Sequence, residues 1–135
     1  MVTRSFASSK LMESQLSTFE LLSLLGQEPH FIGVFPIDLL SNTNKLERVM
    51  DKHTTIKLVV NLQPHHLPGS HWVAIYRRNG IGFYFDSFGR PPPSLIKAWL
   101  SKNTLRWKYH QRMIQHPNDK TSCGYICYAF LKKLS

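Results

Sequence analysis

Residues 71–89 read HWVAIYRRNGIGFYFDSFG, two runs rich in β-branched and aromatic residues joined by Asn79-Gly80, a pair suited to a type I′ hairpin turn. A turn at that point pairs residues whose numbers sum to about 159. His71 then lies opposite Phe88 and Asp86 opposite Val73. On a pleated ribbon this leaves His71 and Asp86 diagonal to one another on one face, close enough for a side-chain hydrogen bond. A third run, TIKLVVNL at 55–62, has the same β-rich character, so the middle of the chain is a sheet.

The flanks read as helices and edges. Ser17-Thr18-Phe19-Glu20 has the capping-box pattern, followed by Leu21, Leu22, Leu24 and Leu25 and a stop at Gly26. HFIGVFPIDLL at 30–40 is a strand that Pro36 confines to an edge or an end, and NKLERVMD at 44–51 is a brief helix. After the prolines of GRPPPS, SLIKAWLSK at 94–102 carries Leu95, Ile96, Trp99 and Leu100 at helical spacing. LRWKYHQRMIQ at 105–115 alternates at Leu105, Trp107 and Tyr109 as a further strand, and the last apolar run is a helix. The expected class is α+β, with a tail at 1–16 and one domain at 17–135.

A chain of 135 residues with 42% apolar and 12% aromatic content forms one globular core. Its 17 Lys+Arg against 8 Asp+Glu give +9, a field that favours polyanions such as DNA or simply keeps the surface solvated. The basic residues are scattered, with only Arg77-Arg78 and Lys132-Lys133 adjacent. No apolar run approaches the ~20 residues of a membrane span, so no membrane partner is expected. Two cysteines make no disulfide framework, which fits an intracellular, reducing setting.

Those cysteines, Cys123 and Cys127, lie in DKTSCGYICYAFLKKLS at 119–135. Cys123 stands where a helix begins, after Asp119, Thr121 and Ser122 as candidate caps and before Gly124, which admits a close backbone. A helix start favours negative charge, and the thiolate is the reactive form of a cysteine. Cys127, a turn deeper among Tyr125, Ile126, Tyr128 and Phe130, reads as a small core hydrophobe. A nucleophilic cysteine needs a base and a group that orients the base, and His71 with Asp86 supplies both. His65 and His66, even with His71 and the cysteines, match no zinc spacing, so no metal is expected.

The order His71-Trp72, Asp86, Gln115 and Cys123-Gly124 closely resembles the adenovirus-type cysteine proteases and, more distantly, the SUMO/ubiquitin-like-protein-specific proteases. The resemblance runs from STFELLSLLG through HFIGVF and the 71–89 stretch to SCGYICYAFL. It implies the papain-like plan, with a central mixed or antiparallel sheet and the cysteine at a helix N-terminus. It makes Cys123 the nucleophile, His71 the general base, Asp86 its orienter and Gln115 the oxyanion donor, with Gln111 a rival for that last role. Asp86 stands where the adenovirus enzymes carry Glu, a difference shared with the SUMO branch. Trp72, core by strand alternation, is by resemblance a substrate-binding residue beside the cleft, and Gly124, which lets a substrate backbone come close, is the other substrate-binding candidate.

The implied activity is an endopeptidase that cuts after glycine in viral-type structural precursors, acting as a monomer in the virion or host nucleus. The resemblance also implies a C-terminus shorter than the family's, no obligatory cofactor, and DNA or an activating peptide as candidate activators. Cleavage of ubiquitin-like proteins, and a catalytically silent scaffold or polyanion-binding module, are the alternatives.

Overall fold

The structure, a computed structural model, describes residues 16–63, 71–116, 118–119 and 121–134. Five strands, β1 (Phe31–Pro36), β2 (Ile56–Asn61), β3 (Trp72–Arg78), β4 (Ile81–Phe85) and β5 (Arg106–Tyr109), form one sheet in sequence order. The three central strands are antiparallel, whereas β1 runs parallel to β2 and β5 parallel to β4. The sheet is thus mixed, and Pro36 ends its edge strand. Asn79 and Gly80 take φ of 51° and 78°, and the hairpin register runs from Arg78↔Ile81 to Ala74↔Phe85. This is the pairing expected from the turn.

Strand alternation divides the core into two layers. Trp72, Ala74 and Tyr76 meet helix α1 (Thr18–Leu25) and helix α4 (Cys123–Lys133) through Leu21, Leu25, Cys123, Cys127 and Leu131. Val73 and Ile75 face the other way, toward the 3₁₀ segment Ile37–Lys45, the short helix α2 (Glu47–Met50) and helix α3 (Ser94–Asn103). Helices on both sides explain why TIKLVVNL is almost continuously apolar. The capping box forms as read, with Ser17 Oγ accepting from the Glu20 amide and Glu20 Oε1 from the Ser17 amide.

Two boundaries and one burial differ from the sequence reading. Leu16, assigned to the tail, is 1% exposed, and its carbonyl accepts from the Trp72 indole at 2.9 Å, so the packed domain includes it. Strand β5 stops at Tyr109, leaving Gln111 in an exposed segment beyond it. Arg77, counted with Arg78 as adjacent surface charge, is fully buried. Its Nε donates to Thr54 O, its Nη1 to Val49 O and Asn103 O, and its Nη2 to Arg48 O and Asp51 O. A guanidinium has five N–H donors, and all five are used, which offsets its desolvation while joining β3 to α2 and α3. Lys57 does the same on the opposite face, donating to Leu131 O and Leu134 O at the end of α4.

Candidate active site

Three element ends meet at one end of the inner strands of the sheet. His71 immediately precedes β3, Asp86 immediately follows β4, and antiparallel pairing brings those two ends together. Helix α4 packs on β3 so that its first residue, Cys123, receives the Trp72 amide on Sγ at 3.5 Å. One turn on, Cys127 Sγ donates to the carbonyl of the same Trp72 at 3.3 Å. The spacing of the two cysteines is therefore that of a helix gripping a single strand residue. Both are free thiols.

The His71 imidazole is hydrogen-bonded through Nε2 to Asp86 Oδ1 at 2.8 Å. Burial by itself lowers the histidine pKa, but the bond to Asp86 and the influence of Asp86 and Cys123 outweigh it and hold it up at about 9. A shift in that direction favours the imidazolium. Asp86 is 1% exposed. Burial disfavours its charge, yet the His71 bond, the Phe88 amide and the nearby His71 and Arg90 charges hold its pKa below the ordinary value.

The turn after β4 builds much of this. Asp86 Oδ1 accepts the Phe88 amide at 2.9 Å and Asp86 O the Gly89 amide at 2.7 Å, with Gly89 at a φ of 75°. A side chain at Gly89 would also strike the Arg112 carbonyl, so glycine is needed twice over. The Phe88 ring stacks on His71 at 5.1 Å, Arg90 Cζ lies 4.8 Å from the Phe88 ring centroid, and Arg90 Nε reaches Asp86 Oδ2 at 3.2 Å. Phe88 and Arg90 were not singled out from sequence, although the hairpin register had already set Phe88 opposite His71.

Gln115 is 2% exposed and lies in the loop leading to Cys123. Its Oε1 accepts from Ser87 Oγ at 2.5 Å and its Nε2 donates to Asp119 O at 2.7 Å. Asp119 Oδ1 in turn accepts the amides of Thr121 and Ser122. Ser122 occupies the cap position of α4 without a side-chain cap bond, so Asp119 organises the approach to the helix. Trp72 is 1% exposed, and a side chain at Gly124 would meet Leu16 Cβ at 3.0 Å and Trp72 Cδ1 at 3.3 Å. Leu16, Trp72 and Gly124 thus form a closed wall beside Cys123, and neither Trp72 nor Gly124 is open to solvent. Among the described residues no group of three or more His, Cys, Asp or Glu could hold a metal, and no helix is long and apolar enough to cross a membrane. His65 and His66 lie outside the described residues.

The five-stranded mixed sheet, with a cysteine opening a helix packed on it, defines the papain-like cysteine-protease fold. Crystal structures of the ASFV pS273R protease superpose on 90% of this chain with TM-scores of 0.63 and, for the selenomethionine form, 0.62, at 19% and 18% identity. Among curated sequences, the chain is 31% identical over 126 residues to the protein named "Putative thiol protease R355" of Acanthamoeba polyphaga mimivirus. That match takes in 78% of this chain and 41% of the mimivirus protein, and the ASFV matches take in 59% and 60% of the solved chains. No family model matches.

Proposed function

We propose that the protein is a cysteine endopeptidase with Cys123 as nucleophile, His71 as general acid and base, Asp86 as the group that orients it and Gln115 as side-chain oxyanion donor. The observation that carries this reading is the imidazole bonded to a buried carboxylate at the strand end on which Cys123, the first residue of a helix, is packed. An imidazolium beside Sγ is the partner that a thiolate requires. The sulfur adds to the peptide carbonyl, whose electron pair moves onto oxygen and is held by the Gln115 amide and the Cys123 N–H. Collapse expels the amine with a proton from His71. Water, giving a proton back to the imidazole, then cleaves the thioester and frees the thiolate. The likeness to the mimivirus and ASFV proteins supports the same chemistry.

For the substrate we infer glycine on the acyl side of the cut, in junctions of viral-type structural precursors. The closed wall of Leu16, Trp72 and Gly124 supports a narrow approach to the nearly buried Cys123. With purified protein, peptides bearing glycine before the cut are expected to be hydrolysed, a glycine-to-leucine change to be cut poorly, and iodoacetamide to stop both. A preference for bulky residues would overturn the substrate reading, and cleavage confined to folded ubiquitin-like proteins would move the assignment to the SUMO-type branch. On the same peptides Gln115→Ala should lower kcat roughly 10²- to 10³-fold. A larger loss in Gln111→Ala would transfer the oxyanion role.

The +9 charge supports a further proposal, that DNA or another polyanion binds and concentrates the enzyme on its substrates. Affinity for duplex DNA should fall steeply as salt rises. Salt-independent affinity would remove nucleic acid from the account.

A further inference from the structure

We propose that Ser87 is a positioning residue that fixes which way the Gln115 amide faces, so that the turn carrying Asp86 orients the oxyanion donor as well as the base. The proposal rests on the oxyanion role given to Gln115 above.

Ser87 is fully buried and Gln115 is 2% exposed. The two ends of the Gln115 amide meet partners of different kinds. A peptide carbonyl can only accept, so the bond to Asp119 O requires the NH2 end there. The carbonyl end must then face Ser87, whose hydroxyl donates to it at 2.5 Å. A reversed amide would set Oε1 against the Asp119 carbonyl, acceptor against acceptor. With Nε2 turned to Asp119, its second hydrogen remains for a developing oxyanion.

Two further bonds separate orientation from simple attachment. The amides of Ile114 and Gln115 donate to the Ser87 carbonyl at 2.7 Å and 2.9 Å. These main-chain bonds hold the loop to the turn whatever the residue 87 side chain is. Removing the hydroxyl therefore leaves the loop attached and strips Oε1 of its donor, and a buried acceptor without a partner turns toward water.

The test is a double-mutant cycle of Ser87→Ala and Gln115→Ala on a peptide substrate, together with the rate at which iodoacetamide labels Cys123. Ser87→Ala is expected to lower kcat by about 10- to 100-fold with KM within about twofold. It should leave the labelling rate unchanged and add nothing in the Gln115→Ala background. Additive losses, or labelling that falls in step with kcat, would overturn the proposal. Should the wild type hydrolyse no peptide, the endopeptidase reading fails, and the side-chain amide signals of Gln115 in a ¹⁵N-labelled sample still decide this point. Protected, separate amide protons in the wild type that lose protection in Ser87→Ala support it. Protection that is absent in the wild type, or that survives in Ser87→Ala, refutes it.

Discussion

Cys123→Ala is expected to reduce peptide hydrolysis by at least about 10⁴-fold while the protein stays folded. On the proposed mechanism the change deletes the atom that forms the thioester. Its structural cost is one sulfur that accepts a long bond from the Trp72 amide. Cys127 is the control, because it lies one turn away on the same helix and on the same strand residue. It is fully buried, and burial pushes its thiol pKa well above the ordinary value, so it stays neutral and inert. Cys127→Ser should lower the unfolding midpoint, at a cost of about 1–2 kcal/mol, yet leave the turnover of the folded fraction near wild type. Measured by kcat/KM beside thermal unfolding, equal loss of activity in two folded variants would point to a shared structural or metal role instead.

His71→Ala should lose about as much activity as Cys123→Ala, since a nucleophile and base in the proposed roles act as a unit, whereas Asp86→Asn should lose roughly tenfold to a hundredfold less. The pair also makes a prediction in pH. The folded His71 pKa of about 9 stands above its ordinary 6.5, so the stability it contributes is full below about pH 6.5 and is lost as pH rises through about 9. Asp86 has the opposite sign. Its folded pKa lies below 3.8, so its contribution is present above that value and is lost as pH falls through the folded one. The alkaline limb of kcat/KM should therefore fall near pH 9. In Asp86→Asn the carboxylate no longer opposes burial, and that limb should move to lower pH. A limb unmoved by the substitution would mean that Asp86 does not set the charge of His71.

The proposed pairing of His71 with Asp86 was legible because a hairpin is local. Asn79-Gly80 fixes the turn, the turn fixes the register, and the period of two decides which side chains share a face. The same locality made the capping box at Ser17 and the helical run from Ser94 readable. Cys123 was marked by its place at a helix start, but it and Gln115 received their roles only through the order of residue types along the chain, which says nothing of distance.

Tertiary structure alone brought α4 onto β3, set the thiol of Cys123 against the Trp72 amide beside His71, and joined Ser87 to Gln115. It also turned Arg77 and Lys57, ordinary basic residues by composition, into buried pins between layers. Leu16 became part of the wall beside Cys123 in the same way. A short-range hydrogen-bond ladder is specified by the residues that form it. Where a helix settles on a sheet is decided by which apolar faces and buried polar groups can be satisfied together, and those partners are far apart in the chain.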